Sequence, residues 1–119
     1  MARYKMVVMS NPVEGREDEY NDWYQNVHLG ELVALEGFRS ARRFRLARSL
    51  VEGEVFPYLA IYEIETGDIN GVLQNLIGVA ESGQLTMSDA IDTARTRAVV
   101  YEEFGEVVAK SGGAPGRWR

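Results

Sequence analysis

SNPVEGREDEYNDWYQNVHLGELVALEGFRSARRF, residues Ser10 to Phe44, changes its hydrophobic period partway along, and that change decides the order of elements in the chain. Tyr20, Trp23, Tyr24 and Val27 fall at i, i+3, i+4 and i+7, which predicts one apolar face of a helix beginning near Arg16. Glu17, Asp18, Glu19 and Asp22 occupy its first turns, where carboxylates suit the positive end of the helix dipole. Gly30 reads as the stop, which leaves His28 in the last turn. From Phe38 the period falls to two. Phe38, Phe44 and Leu46 then share one face and Ala41, Arg43, Arg45 and Ala47 the other, predicting a strand that runs to Arg48.

Upstream, Arg3 to Met9 is a short run rich in Val and Met, closed by Ser10-Asn11-Pro12, and predicts a buried strand and a turn. Downstream, Ser49 to Glu54 contains Gly53 and reads as a hairpin loop. Val55 to Ile64 follows as a strand rich in aromatic and β-branched residues. Asp68 to Ser82 has apolar residues at helical spacing between a capping Asp68 and Gly83, although Gly71 and Gly78 each weaken it by about 1 kcal/mol. Ser88-Asp89 is expected to start one further helical turn, Arg95 to Phe104 a fourth strand, and residues 111–119 a flexible tail. The fold class is therefore α+β: a ferredoxin-like βαββαβ domain over residues 1–110, with a four-stranded antiparallel sheet.

Composition bounds the function. A chain of 119 residues with 18 acidic and 13 basic side chains, net −5, is not a surface built to track nucleic-acid phosphates. With no cysteine there are no disulfides, no thiolate nucleophile and none of the usual structural zinc sites. The single histidine makes a metal site poorly supported, and no glycine-rich loop sits between a strand and a helix to hold a nucleotide, so no cofactor is expected. The apolar runs are too short for a membrane span, and MARYKMVVMSN lacks the hydrophobic stretch of a signal peptide. The expectation is a cytoplasmic protein with no membrane partner.

Two helices cover only one face of such a sheet, yet strand residues on both sides are apolar: Tyr58, Ala60, Tyr62 and Ile64 on one side of the third strand, Leu59 and Ile61 on the other. An uncovered apolar face predicts a homodimer paired through the sheet. The competing reading folds the 84–94 loop and the tail back over that face.

The WY pair, the histidine after three more residues, GFRSARRF and PYLAIYEIE resemble the EthD-like members of the dimeric α+β barrel superfamily, over about residues 4 to 64. The resemblance implies paired ferredoxin-like protomers around a cavity. That superfamily includes cofactor-independent monooxygenases, isomerases, cyclases and haem-degrading enzymes, so the resemblance implies a small-molecule site without choosing its reaction.

Candidate chemistry centres on His28, the one side chain that titrates near neutrality unperturbed. A histidine in a last helical turn also caps carbonyls, so a structural role stands beside a catalytic one. Tyr24, one turn earlier, shares its face and is expected in the pocket; Trp23 points elsewhere, as core or as a ligand contact. Arg43 is expected either to neutralise a carboxylate or enolate or to pair with Glu63, Glu65 or a partner-chain carboxylate. Tyr58 and Tyr62 share a strand face and are expected to orient a ligand or to pack, and Asn11 to donate to an anionic oxygen or to form a turn. The function expected is binding of a small, apolar or aromatic acid or ketone in a catabolic pathway, with lyase, isomerase or monooxygenase chemistry at His28, Tyr24 and Arg43. The alternative is a non-catalytic accessory protein using the same cavity.

Overall fold

The computed structural model describes residues 1–111; the expected tail, apart from Ser111, lies outside the described residues. Its elements are β1 (Ala2–Ser10), α1 (Glu17–Trp23), a π-helical turn (Tyr24–His28), α2 (Leu29–Val33), β2 (Phe38–Arg45), β3 (Tyr58–Thr66), α3 (Ile69–Glu81), a 3-10 turn (Thr93–Arg95) and β4 (Arg97–Glu102). The strands lie in the order β2-β3-β1-β4, every neighbour antiparallel. This is the ferredoxin-like arrangement, with β1 and β3 at its centre.

Register decides which side chains meet. Met6 stands opposite Tyr62, Val8 opposite Ala60 and Ser10 opposite Tyr58, so these residues share the face covered by the helices. There they join Tyr20, Trp23, Tyr24, Leu29, Leu32, Phe38 and Val72 in one core. On the other face Val7 pairs with Ile61 and Val99, and Met9 with Leu59, with Tyr101 and Phe44 beside them. The 84–92 segment goes to the helix side: Trp23 Nε1 donates to the Thr86 carbonyl at 2.7 Å, Glu31 accepts from Thr86, and Ala90 is fully buried. It does not cover the open face.

Several local expectations change. Gly30 does not stop the first helix, because Leu29 and Leu32 reach the core and reward its continuation to Val33. The rod stays unbroken through the π-helical turn, with helical dihedrals at Trp23, His28 and Leu29 and the Leu29 N–H bonded to the Tyr24 carbonyl. His28 is consequently inside a helix, not at its end. The π-turn inserts one residue into the spiral, so Trp23 and Tyr24 are both buried and both touch His28, instead of diverging.

In β2 a bulge between Phe38 and Ser40 shifts the alternation, placing Phe38 on the same side as Ala41 and Arg43 and leaving Phe44 on the open side. The strand ends at Arg45 and not Arg48. Its partner β3 begins only at Tyr58, since Pro57 has no N–H to give a ladder. The extra helical turn sits at Thr93–Arg95, capped by Asp92 accepting from the Ala94 N–H, rather than at Ser88-Asp89. β4 is likewise shorter at both ends than expected. Among the described residues no helix is long and apolar enough to cross a membrane.

The chain turn into β2 depends on Gly37, whose φ of +90° lies in the left-handed region, and a Cβ there would sit 2.7 Å from Val72 Cγ2. Gly37→Ala should therefore lower unfolding stability by about 2 to 4 kcal/mol, combining backbone strain with overpacking. Urea denaturation checks this; an unchanged midpoint would show that α3 is free to move aside.

Candidate functional site

Arg43 organises the site. Strand alternation after the bulge turns it toward the helices, and its partner across the ladder is Ala60, whose small side chain leaves room for a guanidinium. The guanidinium carbon lies 4.7 Å from the centre of the Tyr24 ring, 5.3 Å from Tyr58 and 5.4 Å from Tyr20. Three aromatic faces thus enclose one cation, each contact contributing on the order of 0.5 to 2 kcal/mol. Arg43 Nη2 also donates to Asn21 Oδ1 at 2.8 Å. Among the described residues no carboxylate pairs with it: Glu63 bonds Lys5 at 2.6 Å, and Glu65 pairs with Arg3 and Arg39, all on the opposite face. The ion pairs with Glu63 and Glu65 offered as alternative roles for Arg43 are therefore not formed within the chain.

A short polar chain positions this cation. Glu17, Asn21 and Gln25 recur every four residues along the first helix. Tyr58 donates its hydroxyl to the Glu17 carboxylate, and Asn21 Nδ2 donates to the same hydroxyl oxygen at 3.2 Å. Asn21 thereby links Tyr58 to Arg43. Above this chain opens a cleft of about 390 Å³ lined by Asn21, Gln25, Arg43, Phe44, Arg45 and Tyr58. It combines two arginines and two amides with the apolar surfaces of Phe44 and Tyr58.

Behind Arg43 lies a second, closed group. Tyr24 and Tyr62 are 1% and 0% exposed, and their hydroxyls interact with each other, while the buried Nδ1 of His28 has no hydrogen-bond partner among the described residues. Burial holds the Tyr24 phenol up at about 12 and pushes Tyr62 higher still, so both are neutral donors. The His28 ring stacks on Trp23 at 4.6 Å and meets Tyr24 edge-on at 5.0 Å. Desolvation lowers its pKa to about 4, only partly opposed by Glu31, so the imidazole is neutral near pH 7. Its ring carries no helix-capping bond, and the role of C-terminal cap is excluded by its place inside the helix.

The structure brings together Arg43, Tyr24, Tyr58, Tyr62, His28 and Trp23. Asn11 stands apart: its side chain donates to the Arg95 carbonyl at 3.1 Å and its carbonyl accepts from Asp92, tying β1 to the 91–95 segment. Asn21, Gln25, Glu17 and Tyr20 were not singled out in the sequence as site residues. The signal for the first three was present as a polar stripe at i, i+4 and i+8 beside the aromatic one. Tyr20 is fully buried and hydrogen-bonds Ser10.

No family model matches the chain, and no curated protein matches it. Among solved structures it is similar to an EthD family protein from Bacillus halodurans, with TM-score 0.60 and 17% identity over 87% of this chain and 100% of that one. It is also similar to a putative monooxygenase from Shewanella loihica, with TM-score 0.55 and 11% identity over 92% of this chain and 99% of that one. At these identities what the chain shares with them is the fold, the α+β ferredoxin-like protomer with its four-stranded antiparallel sheet.

Proposed function

We propose that this chain is a small-molecule-binding α+β barrel protein whose cleft takes a small organic acid or keto acid, with the anionic group on Arg43. The observation that carries this reading is a cation enclosed by three tyrosines with no carboxylate of its own among the described residues, at the mouth of an open cleft. A carboxylate or enolate oxygen accepts from the guanidinium in the bidentate geometry that arginine favours. The amides of Asn21 and Gln25 donate to a second oxygen in the cleft, and once the Tyr24 ring that stands between Arg43 and His28 swings aside to admit the ligand, His28 removes the proton next to the carbonyl while the electron pair moves onto the oxygen. The enolate so formed is a shared first step for isomerase, lyase and cofactor-free monooxygenase chemistry. The names carried by the two similar structures are compatible with it.

The low basicity of His28 favours a second reading, a binding or accessory protein without turnover. An anion seated nearby raises an imidazole pKa, and this separates the two. Acetoacetate incubated with the protein in deuterated buffer should gain deuterium at the carbon between its carbonyl groups faster than with His28→Gln. Binding with exchange at the buffer rate would leave the accessory reading standing.

The same proposal includes a homodimer paired through the open sheet face, supported by the apolar row of Val7, Met9, Leu59, Ile61 and Val99. Ion pairs Lys5–Glu63 and Arg39–Glu65 rim that row. Sedimentation of the full chain at micromolar concentration should give the mass of two protomers.

A further inference from the structure

Two cations line the cleft, and among the described residues neither has a counter-charge. Arg43 and Arg45 are alternate residues of β2, so strand geometry sets them on one face with their Cα atoms about 6.6 Å apart. Register agrees: Arg43 stands opposite Ala60 and Arg45 opposite Tyr58, both on the helix side of β3. Among the described residues Arg45 makes no ion pair, and the acceptor that Arg43 has is the neutral amide of Asn21. No carboxylate lines the cleft, and Glu17, which borders it through Tyr58, already accepts the Tyr58 hydroxyl. A chain with 18 acidic residues thus leaves two neighbouring arginines unmatched at one cleft, where their like charges oppose each other.

We infer that the ligand of this cleft is a diacid with two separated carboxylates, one on Arg43 and the other on Arg45, which makes Arg45 the residue that selects diacids over monoacids. This rests on the anion-binding reading above and names its substrate class. A monocarboxylate seated on Arg43 leaves the second cation unmatched, whereas a diacid neutralises both. Spacing separates the kinds of dianion. A phosphate ester requires both guanidiniums to converge on one group, which the tether of Arg43 to Asn21 and its three tyrosine rings opposes. Carboxylates joined by about three or four methylenes instead suit cations rooted about 6.6 Å apart. Their stem has the apolar surfaces of Phe44 and Tyr58 to lie on, and the Asn21 and Gln25 amides are placed to donate to a keto or hydroxyl oxygen on it. Arg43, half-buried and tethered, fixes the first carboxylate; Arg45, exposed on its long stem, adapts to the second and draws dianions in.

Calorimetric titration of the full chain at pH 7 compares glutarate and adipate with pentanoate and hexanoate, monoacids of matching length, and with methyl phosphate. A diacid is expected to bind about tenfold more tightly than its matching monoacid, the gain of one further charge-assisted contact, and more tightly than methyl phosphate. Arg45→Met should bring that ratio to within about twofold, whereas Arg48→Met, in the exposed loop after β2, should preserve it. Far-ultraviolet circular dichroism checks that each variant folds. Equal affinity for diacid and monoacid, or a preference that survives Arg45→Met, would overturn the diacid assignment and leave the monoanion reading intact. Tighter binding of methyl phosphate than of either diacid would overturn it in favour of a phosphate ester. Failure of every one of these anions to bind would reject the anion site itself.

Discussion

Arg43→Met is expected to weaken binding of a small carboxylate by about 30- to 1000-fold, the equivalent of ~2 to 4 kcal/mol for losing a charge-assisted bidentate contact in a partly desolvated site. Calorimetric titration with acetoacetate or benzoate at pH 7 reads this directly. The methionine keeps much of the stem that packs among Tyr20, Tyr24 and Tyr58, so the fold is expected to survive. Removing a half-buried cation that has no counter-charge also relieves a desolvation cost, which offsets the lost aromatic contacts. Arg43→Lys should recover little, since an ammonium neither stacks as a plane nor reaches two oxygens and Asn21 at once. Arg48→Met, in the exposed loop after β2, is the control and should bind as the wild type does. Equal affinity in Arg43→Met would remove Arg43 from the site and with it the anionic ligand.

The second large effect is on stability against pH. His28 has a folded pKa near 4 against an ordinary value of 6.5, because burial beside Trp23 and Tyr24 penalises its charged form. Between those values the unfolded chain binds the proton and the folded chain does not. The stabilisation is therefore complete above pH 6.5, declines as pH falls, and is spent near pH 4. The loss attributable to this residue is about 3 kcal/mol. Glu31, held low by hydrogen bonds from Thr86, and Asp89, held low by Arg16, add their own losses as acid protonates them. His28→Phe isolates the histidine. Urea unfolding of both proteins from pH 7.5 to 4 should give curves that converge as pH falls, the variant being the flatter. Parallel curves would mean that His28 is solvated and its ring free to take a proton without cost.

Much of the architecture was legible because period is a local property. Tyr20, Trp23 and Tyr24 announce a helix and the Val-rich run before Pro12 a strand, whatever they later pack against. Boundaries were less legible. Gly30 is a sound stop signal by propensity, but Leu29, one residue before it, and Leu32, two residues after, bury themselves and carry the helix past. The site was half visible: His28, Tyr24, Arg43, Tyr58 and Tyr62 do converge, while Asn11 serves the backbone of another segment.

The amino-acid sequence by itself determined the α+β order, the apolar character of both sheet faces and the residues with usable chemistry. Those depend on spacing and side-chain type. Only the tertiary structure decided that Arg43 faces the helices, that Trp23 and Tyr24 both meet His28, and that the imidazole is neutral. The bulge at the start of β2 and the π-turn each shift the phase of everything after them by one residue. Such shifts are selected by packing against distant strands and helices, and no local pattern encodes that contact.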